Sequence, residues 1–361
     1  MQKRWNRIFS PRAVRGARIR VWSVFLVLVG SVVLVSACGS PPAVGGSVTL
    51  VLGAYTTPRE AYAKAVIPAF QKYWKEKTGQ DVTFQESYQG SGAQARAIIG
   101  GFEADVAALS LEEDIEKIRE AGLITHDWRS KPNGGMVTTS VVVIAIRQGN
   151  PLGIRDWADL ARPNLKVLTP DPSTSGGAKW NIAALYGAAL RGHAGVAAND
   201  PEAAAQVIAS VFRNVSIMDK GARESITNFE KGVGDVAITY ENEVLVGRQA
   251  GQTYEYVIPT STILIENPVA LVDVNVDKHG VRPVAEAFVE FLSSPVAQRA
   301  YVTYGLRPLD PVVAGESTTS FQPVKDLWKI DFLGGWPKAS HDIFGESGIF
   351  TKTLAAIHAT K

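Results

Sequence analysis

Val167-Leu168-Thr169-Pro170-Asp171-Pro172-Ser173-Thr174-Ser175-Gly176-Gly177-Ala178-Lys179-Trp180-Asn181 is the stretch whose reading decides the fold. A short apolar run, 167–169, has the character of a strand. It ends in a turn rich in proline and hydroxyls, and two glycines then lead into 178–190, an apolar segment of helical length. The same grammar recurs twice. Gly90-Ser91-Gly92 follows the strand-like 82–87 and opens a helix at 93–99, and Lys220-Gly221-Ala222 follows 215–218 and opens 224–231. At each junction the first turn of the helix has free backbone N–H groups and the positive end of the helix dipole, with no side chain crowding the approach. That is how a chain binds a small oxyanion without a cationic side chain. One such turn is usually only a helix cap. Three at equivalent positions, in both halves of the chain, point to an anion site.

Outward from these junctions the chain alternates strand and helix. Strands are expected at 48–52, 82–87, 106–109, 141–146, 167–169, 215–218, 236–240, 256–258 and 263–272. Helices are expected after Pro58 through Trp74, then at 93–99, 111–121, 178–190, 201–212, 224–231, 241–249, 284–292 and 295–304. The run 141–146 is continuously apolar, as in a strand buried on both faces. Repeated strand–helix units imply an α/β fold of open sheets flanked by helices, with ligands at the carboxyl ends of the strands. With 361 residues there is material for about two lobes at roughly 150 residues each. The last fifty residues are less periodic and read as a packed C-terminal wrap.

The N-terminus reads as an address. Residues 1–37 carry seven basic side chains and no acid, and 21–37 is an apolar run broken only by Ser23, Gly30, Ser31 and Ser36. A positive region, an apolar region and small residues before a cut site make a secretory signal. The run ends Val35-Ser36-Ala37-Cys38, which resembles a bacterial lipoprotein box, and Cys38 is the single cysteine of the chain. Residues 1–37 are therefore expected to be a signal peptide, Cys38 a lipidation site, and 38–46 a flexible tether. A lone cysteine excludes an intramolecular disulfide and a cysteine-cluster metal site. Without residues 1–37 the chain has 30 Lys and Arg against 35 Asp and Glu, a net charge of −5 that argues against nucleic acid as a partner.

Signs of catalysis are few. None of the five histidines stands at i,i+4 to another, so a zinc site is not expected, and two of them lie beside acidic or turn residues, as in solvated loops. There is no nucleophile-elbow motif and no Walker-type loop. Acidic pairs such as Glu112/Glu113 and Glu241/Glu243 read as solvated helix faces. No catalytic residue and no cofactor is expected.

Further segments make the reading specific. Tyr55-Thr56-Thr57-Pro58-Arg59-Glu60, Ser87-Tyr88-Gln89-Gly90-Ser91-Gly92, Gly101-Phe102-Glu103-Ala104-Asp105-Val106, Asp219-Lys220-Gly221-Ala222-Arg223, Gly234-Asp235-Val236-Ala237-Ile238-Thr239-Tyr240-Glu241-Asn242-Glu243 and Phe332-Leu333-Gly334-Gly335-Trp336 join the opening stretch in one order along the chain. Over about residues 47–350 this set resembles the sulfate and thiosulfate-binding proteins of bacterial ABC importers. The resemblance implies a two-lobed clamshell of periplasmic-binding-protein type, each lobe an open mixed sheet flanked by helices. It places lobe 1 at 47–142 plus 265–323, lobe 2 at 143–264 and the wrap at 324–361. It also implies a monomer, tethered by lipid outside the cytoplasmic membrane, that delivers sulfate or thiosulfate to the permease subunits of an importer.

The implied ligand contacts are Ser91, Ser175, the backbone N–H groups of Gly176, Gly177 and Ala222, and position 240, where the family has a tryptophan and this chain has Tyr240. Arg59 and Arg223 are implied as charges behind the site, or as surface or interlobe salt bridges. Sulfate carries no proton at neutral pH, so each group around it should donate. A hydrogen bond to a charged group contributes about 1.5–3 kcal/mol, and six or seven offset a desolvation cost of several kcal/mol. No carboxylate is expected among the contacts. Receptors for molybdate, tungstate or phosphate, an exported hydrolase, and a surface adhesin stand as alternatives.

Overall fold

Leu50, Leu52 and Ala54 alternate along strand β1 (Ser47–Tyr55), and all three are fully buried. That period of two seats one face of the strand in a core. A computed structural model describes residues 46–359, so the leader, Cys38 and the tether up to residue 45 lie outside the described residues. β1 pairs in parallel with β2 (Asp81–Gln89) along its full length and with β3 (Val106–Ala108) on its other side. In a second group of strands, β5 (Val167–Pro170) runs parallel to both β6 (Val215–Asp219) and β7 (Val236–Tyr240).

Two long strands join the groups. β4 (Met136–Ile146) and β9 (Ser261–Leu271) pair antiparallel between Met136–Val141 and Leu264–Pro268. From Val142 onward β4 turns to β7, and also pairs with β8 (Glu255–Val257), while from Val269 onward β9 turns to β3. Each group is thus a mixed sheet, and the strand order is β2-β1-β3-β9-β4-β7-β5-β6. This is the two-lobed α/β fold of the periplasmic binding proteins.

The expected elements are found, with shifted ends that have physical causes. The helix expected at 178–190 begins earlier, as Gly176–Leu190, because Ser175 caps it by accepting from the Ala178 N–H at 3.3 Å. β4 starts five residues before the apolar run 141–146 that announces it. Thr138, Thr139 and Ser140 are buried there, Thr138 donating to Asn267 at 3.2 Å and Thr139 to the Arg307 carbonyl at 3.1 Å, so polar residues extend a buried strand. The segment after Pro58 is one helical run, Arg59–Ala61, a π-helical turn Tyr62–Val66, and Ile67–Thr78, closed by Gly79 in the left-handed region at φ 76°.

The tail is more regular than its sequence suggests. β10 (Asp326–Trp328) extends the β9 edge, Trp336 packs edge-on to Trp180 at 4.6 Å, and Phe350 of the helix Ile349–Ala359 packs on Phe212 at 4.8 Å. Among the described residues no helix is long and apolar enough to cross a membrane.

Candidate anion-binding site

The helices Ser91–Ile99, Gly176–Leu190 and Ala222–Glu230 bring their N-termini to one place. Gly90 makes the approach possible. A Cβ there would lie 2.5 Å from the Thr174 carbonyl oxygen and 2.8 Å from that of Lys220. The Ala93 N–H donates to the Thr174 carbonyl at 3.2 Å, and the Thr174 hydroxyl donates to the Lys220 carbonyl at 2.8 Å, so the three junctions are stitched directly together.

The glycines of the second junction are as closely surrounded. A Cβ on Gly177 would stand 2.9 Å from the Tyr240 ring and 3.4 Å from both the Ala222 Cβ and the Ser175 Oγ, and one on Gly176 would stand 2.7 Å from the Ser110 Oγ. Ser175, Gly176, Gly177, Ala222 and Tyr240 therefore form one cluster. Ser110 ties Ser91 to it: its N–H donates to the Ser91 Oγ at 3.0 Å, and its hydroxyl hydrogen-bonds the Tyr240 hydroxyl at 2.6 Å, where either oxygen can donate.

The cluster is sealed from solvent. Ser91 is 1% exposed, Ser175 3%, Ala222 4% and Tyr240 0%. Yet the backbone N–H groups of Ser91, Gly176, Gly177 and Ala222 take no acceptor among the described residues. Buried N–H groups without a partner are rare and costly. The Tyr55 hydroxyl is also buried without a partner, and its ring lies 6.3 Å from that of Tyr240. Burial pushes both phenols well above their ordinary range, so both remain protonated.

A carboxylate stands behind Ser91, whose hydroxyl donates to Asp114 Oδ2 at 2.7 Å. Asp114 is 1% exposed and meets Lys117 at 3.3 Å. The proton of Ser91 is thereby directed away from the cluster, and its N–H is the donor left.

Glu241 and Glu243 are fully buried rather than on a solvated helix face. Arg307 grips Glu241 with two hydrogen bonds, at 2.7 and 3.0 Å. Arg223 lies 3.1 Å from Glu243 and 2.7 Å from Glu60. Burial raises the Glu243 carboxyl to about 7, against the opposing pull of Arg223. Glu112 and Glu113 are only partly exposed, and Glu113 meets Lys179 at 2.9 Å. Burial acts to raise the Glu113 carboxyl, but Lys179 and Lys117 outweigh it and hold it at about 2.

His279 is exposed and His126 partly exposed, and each also bonds a carboxylate, Asp105 at 2.7 Å and Asp273 at 2.6 Å. Arg59 is not brought to the cluster; it is exposed and stands over the Tyr88 ring at 5.5 Å. Arg223 serves as a salt bridge to Glu60 and Glu243.

Ser110 and Asp114 escape sequence reasoning. Ser110 follows β3 as the other contacts follow their strands, but no glycine accompanies it, so only its position after a strand could flag it.

Two mixed sheets joined by two long strands, with helix N-termini of both sheets meeting at the seam, define the class of two-lobed solute-binding proteins. The description "bacterial extracellular solute-binding protein" belongs to the family model that matches residues 50–307, and this chain is a member of that family. The sulfate-binding protein of Synechococcus elongatus is 42% identical over 334 residues, covering 91% of this chain and 94% of the relative. A thiosulfate-binding protein of Escherichia coli is 36% identical over 314 residues, covering 85% and 91%. The solved structure of the sulfate-binding protein SubI from Mycobacterium tuberculosis superposes with a TM-score of 0.74 at 36% identity, covering 83% of this chain and 99% of that one. The periplasmic binding protein AfuA from Actinobacillus pleuropneumoniae, at 18% identity and a TM-score of 0.54, shares the fold.

Proposed function

We propose that this protein is a receptor for sulfate, with thiosulfate as a second ligand, that hands the anion to the permease subunits of an ABC importer. One observation carries the reading: the N–H groups of Ser91, Gly176, Gly177 and Ala222 are buried, convergent and without an acceptor. A small dianion supplies the acceptors they lack. The hydroxyls of Ser175 and Tyr240 complete the set of donors. The names of the relatives support sulfate and thiosulfate over other oxyanions. The role is binding and release, not turnover.

The lobes of this receptor are residues 47–142 with 265–323, and 143–264, with 324–361 wrapped over the second. The change of partner by β4 at Val142 supports the first boundary. Closure over the anion brings Ser91 of one lobe to Ser175, Gly176, Gly177 and Ala222 of the other. The receptor acts as a monomer held outside the cytoplasmic membrane by lipid on Cys38. Cys38→Ala therefore abolishes fatty-acid labelling and leaves an unprocessed precursor, and labelling that persists in the variant defeats the anchor.

Calorimetry of the purified protein against sulfate, thiosulfate, molybdate and phosphate tests the function. Sulfate binds at micromolar Kd or tighter, about −8 kcal/mol or better. A protein that gives no heat with millimolar sulfate is not a sulfate receptor.

A further inference from the structure

The hydroxyls of Ser110 and Tyr240 lie 2.6 Å apart, and both side chains are buried. They flank the Gly176-Gly177 amides, Ser110 Oγ against Gly176 and the Tyr240 ring against Gly177. Backbone N–H groups are donors only, whereas each hydroxyl both donates and accepts. Two hydroxyls in contact have two protons. One lies between them, and the other is free to point at a ligand. Asn267 also hydrogen-bonds the Tyr240 hydroxyl, so the two oxygens are not equivalent. With Ser110 donating to Tyr240, the phenol proton is free for the ligand and the Ser110 Oγ keeps a lone pair, so the pair presents one donor and one acceptor side by side. The Tyr240 ring stays protonated, since burial raises its ionisation well above neutrality, so the pair keeps both protons under physiological conditions.

We propose that the Ser110–Tyr240 pair sets the ligand class of this site, admitting tetrahedral dianions that carry one proton, with hydrogen phosphate as the representative, alongside sulfate. The inference rests on the oxyanion reading above. Hydrogen phosphate has the charge and shape of sulfate plus one O–H, and a wall of donors only would leave that hydrogen facing another hydrogen. Here the acceptor of the pair receives it while the free proton of the pair reaches a neighbouring phosphoryl oxygen. Asp114, a buried carboxylate behind Ser91, accepts the Ser91 hydroxyl at Oδ2 and meets Lys117 at Oδ1, so both of its oxygens are already engaged. With two hydroxyls the donor and the acceptor sit on neighbouring oxygens, matched to adjacent oxygens of the ligand.

The test is calorimetric competition at about pH 8, with sulfate and inorganic phosphate on the purified protein, Tyr240→Trp and Ser110→Ala. The unmodified protein binds phosphate measurably, within about a hundredfold of sulfate. Tyr240→Trp keeps a donor and loses the acceptor, so the preference for sulfate over phosphate rises by about tenfold or more. Ser110→Ala, a smaller change that the fold accommodates if the indole does not fit, raises it in the same direction. Sulfate binding without detectable phosphate binding overturns the inference and leaves the receptor reading intact. Phosphate binding whose ratio to sulfate is unmoved by both variants also overturns it. Binding of neither anion removes the receptor reading itself.

Discussion

Around Ser175, Gly177 and Ala222 the chain gathers buried dipoles that have no formal charge, while around Arg223 and Arg307 it gathers buried charges already matched to one another. In the first region four backbone N–H groups converge without an acceptor. In the second, Arg307 is held by Glu241 and Arg223 by Glu60. The difference teaches how a reversible anion site is kept ready. A buried cation would demand a permanent counter-ion, which the ligand would then have to displace. Neutral donors impose no such competition, and the charge arrives with the ligand. The ion pairs act as ties instead. Glu60 with Arg223, Glu113 with Lys179 and Glu241 with Arg307 hold distant segments together at the seam.

The comparison breaks most visibly where a buried charge loses its partner. Arg307→Ala leaves the fully buried Glu241 uncompensated and should cost about 3–5 kcal/mol of stability by urea unfolding. A loss below about 1 kcal/mol would mean that the seam pair contributes little. Glu243 gives a pH signature. Its folded-state pKa of about 7 lies above the ordinary 4.5, so the folded protein holds this proton more tightly than the unfolded chain. The stabilisation is complete below about pH 4.5 and is lost as pH rises through about 7, roughly 3 kcal/mol in all. Glu243→Gln should flatten this fall, and an unchanged pH profile in the variant assigns the proton elsewhere.

On the dipole side the effects appear in binding. Ser175→Ala removes one charge-assisted donor and should weaken sulfate by about 1.5–3 kcal/mol. The same change at the exposed Ser173, two residues earlier, should cost far less, and equal losses at the two positions would move the contact away from Ser175. Loss of the Ser175 helix cap should also lower stability by about 1 kcal/mol.

The dipole region is legible in the sequence and the charged region is not. Glycine and serine at strand-to-helix junctions announce free N–H groups because backbone geometry is local, and so 91, 175–177 and 222 can be read together. Burial of Glu241 and Glu243 depends on Arg307 and Arg223 arriving from other parts of the chain, and an acidic pair at the start of a helix looks the same whether water or arginine meets it. Ser110 stays hidden for a related reason: its role comes from Tyr240, 130 residues away. Strand β4 reads short because Thr138, Thr139 and Ser140 look like a turn until β9 supplies their ladder partners.

The proposed site holds the anion by buried amides rather than cationic side chains, and the most direct measurement of this is the shift of backbone amide proton resonances when sulfate is added to the purified protein. The amides of Ser91, Gly176, Gly177 and Ala222 should move strongly downfield together, saturating with the calorimetric affinity, while the side-chain signals of Arg223 and Arg307 stay nearly in place. Saturable sulfate binding that leaves those four amides unmoved, or that shifts arginine side-chain signals instead, would contradict the account.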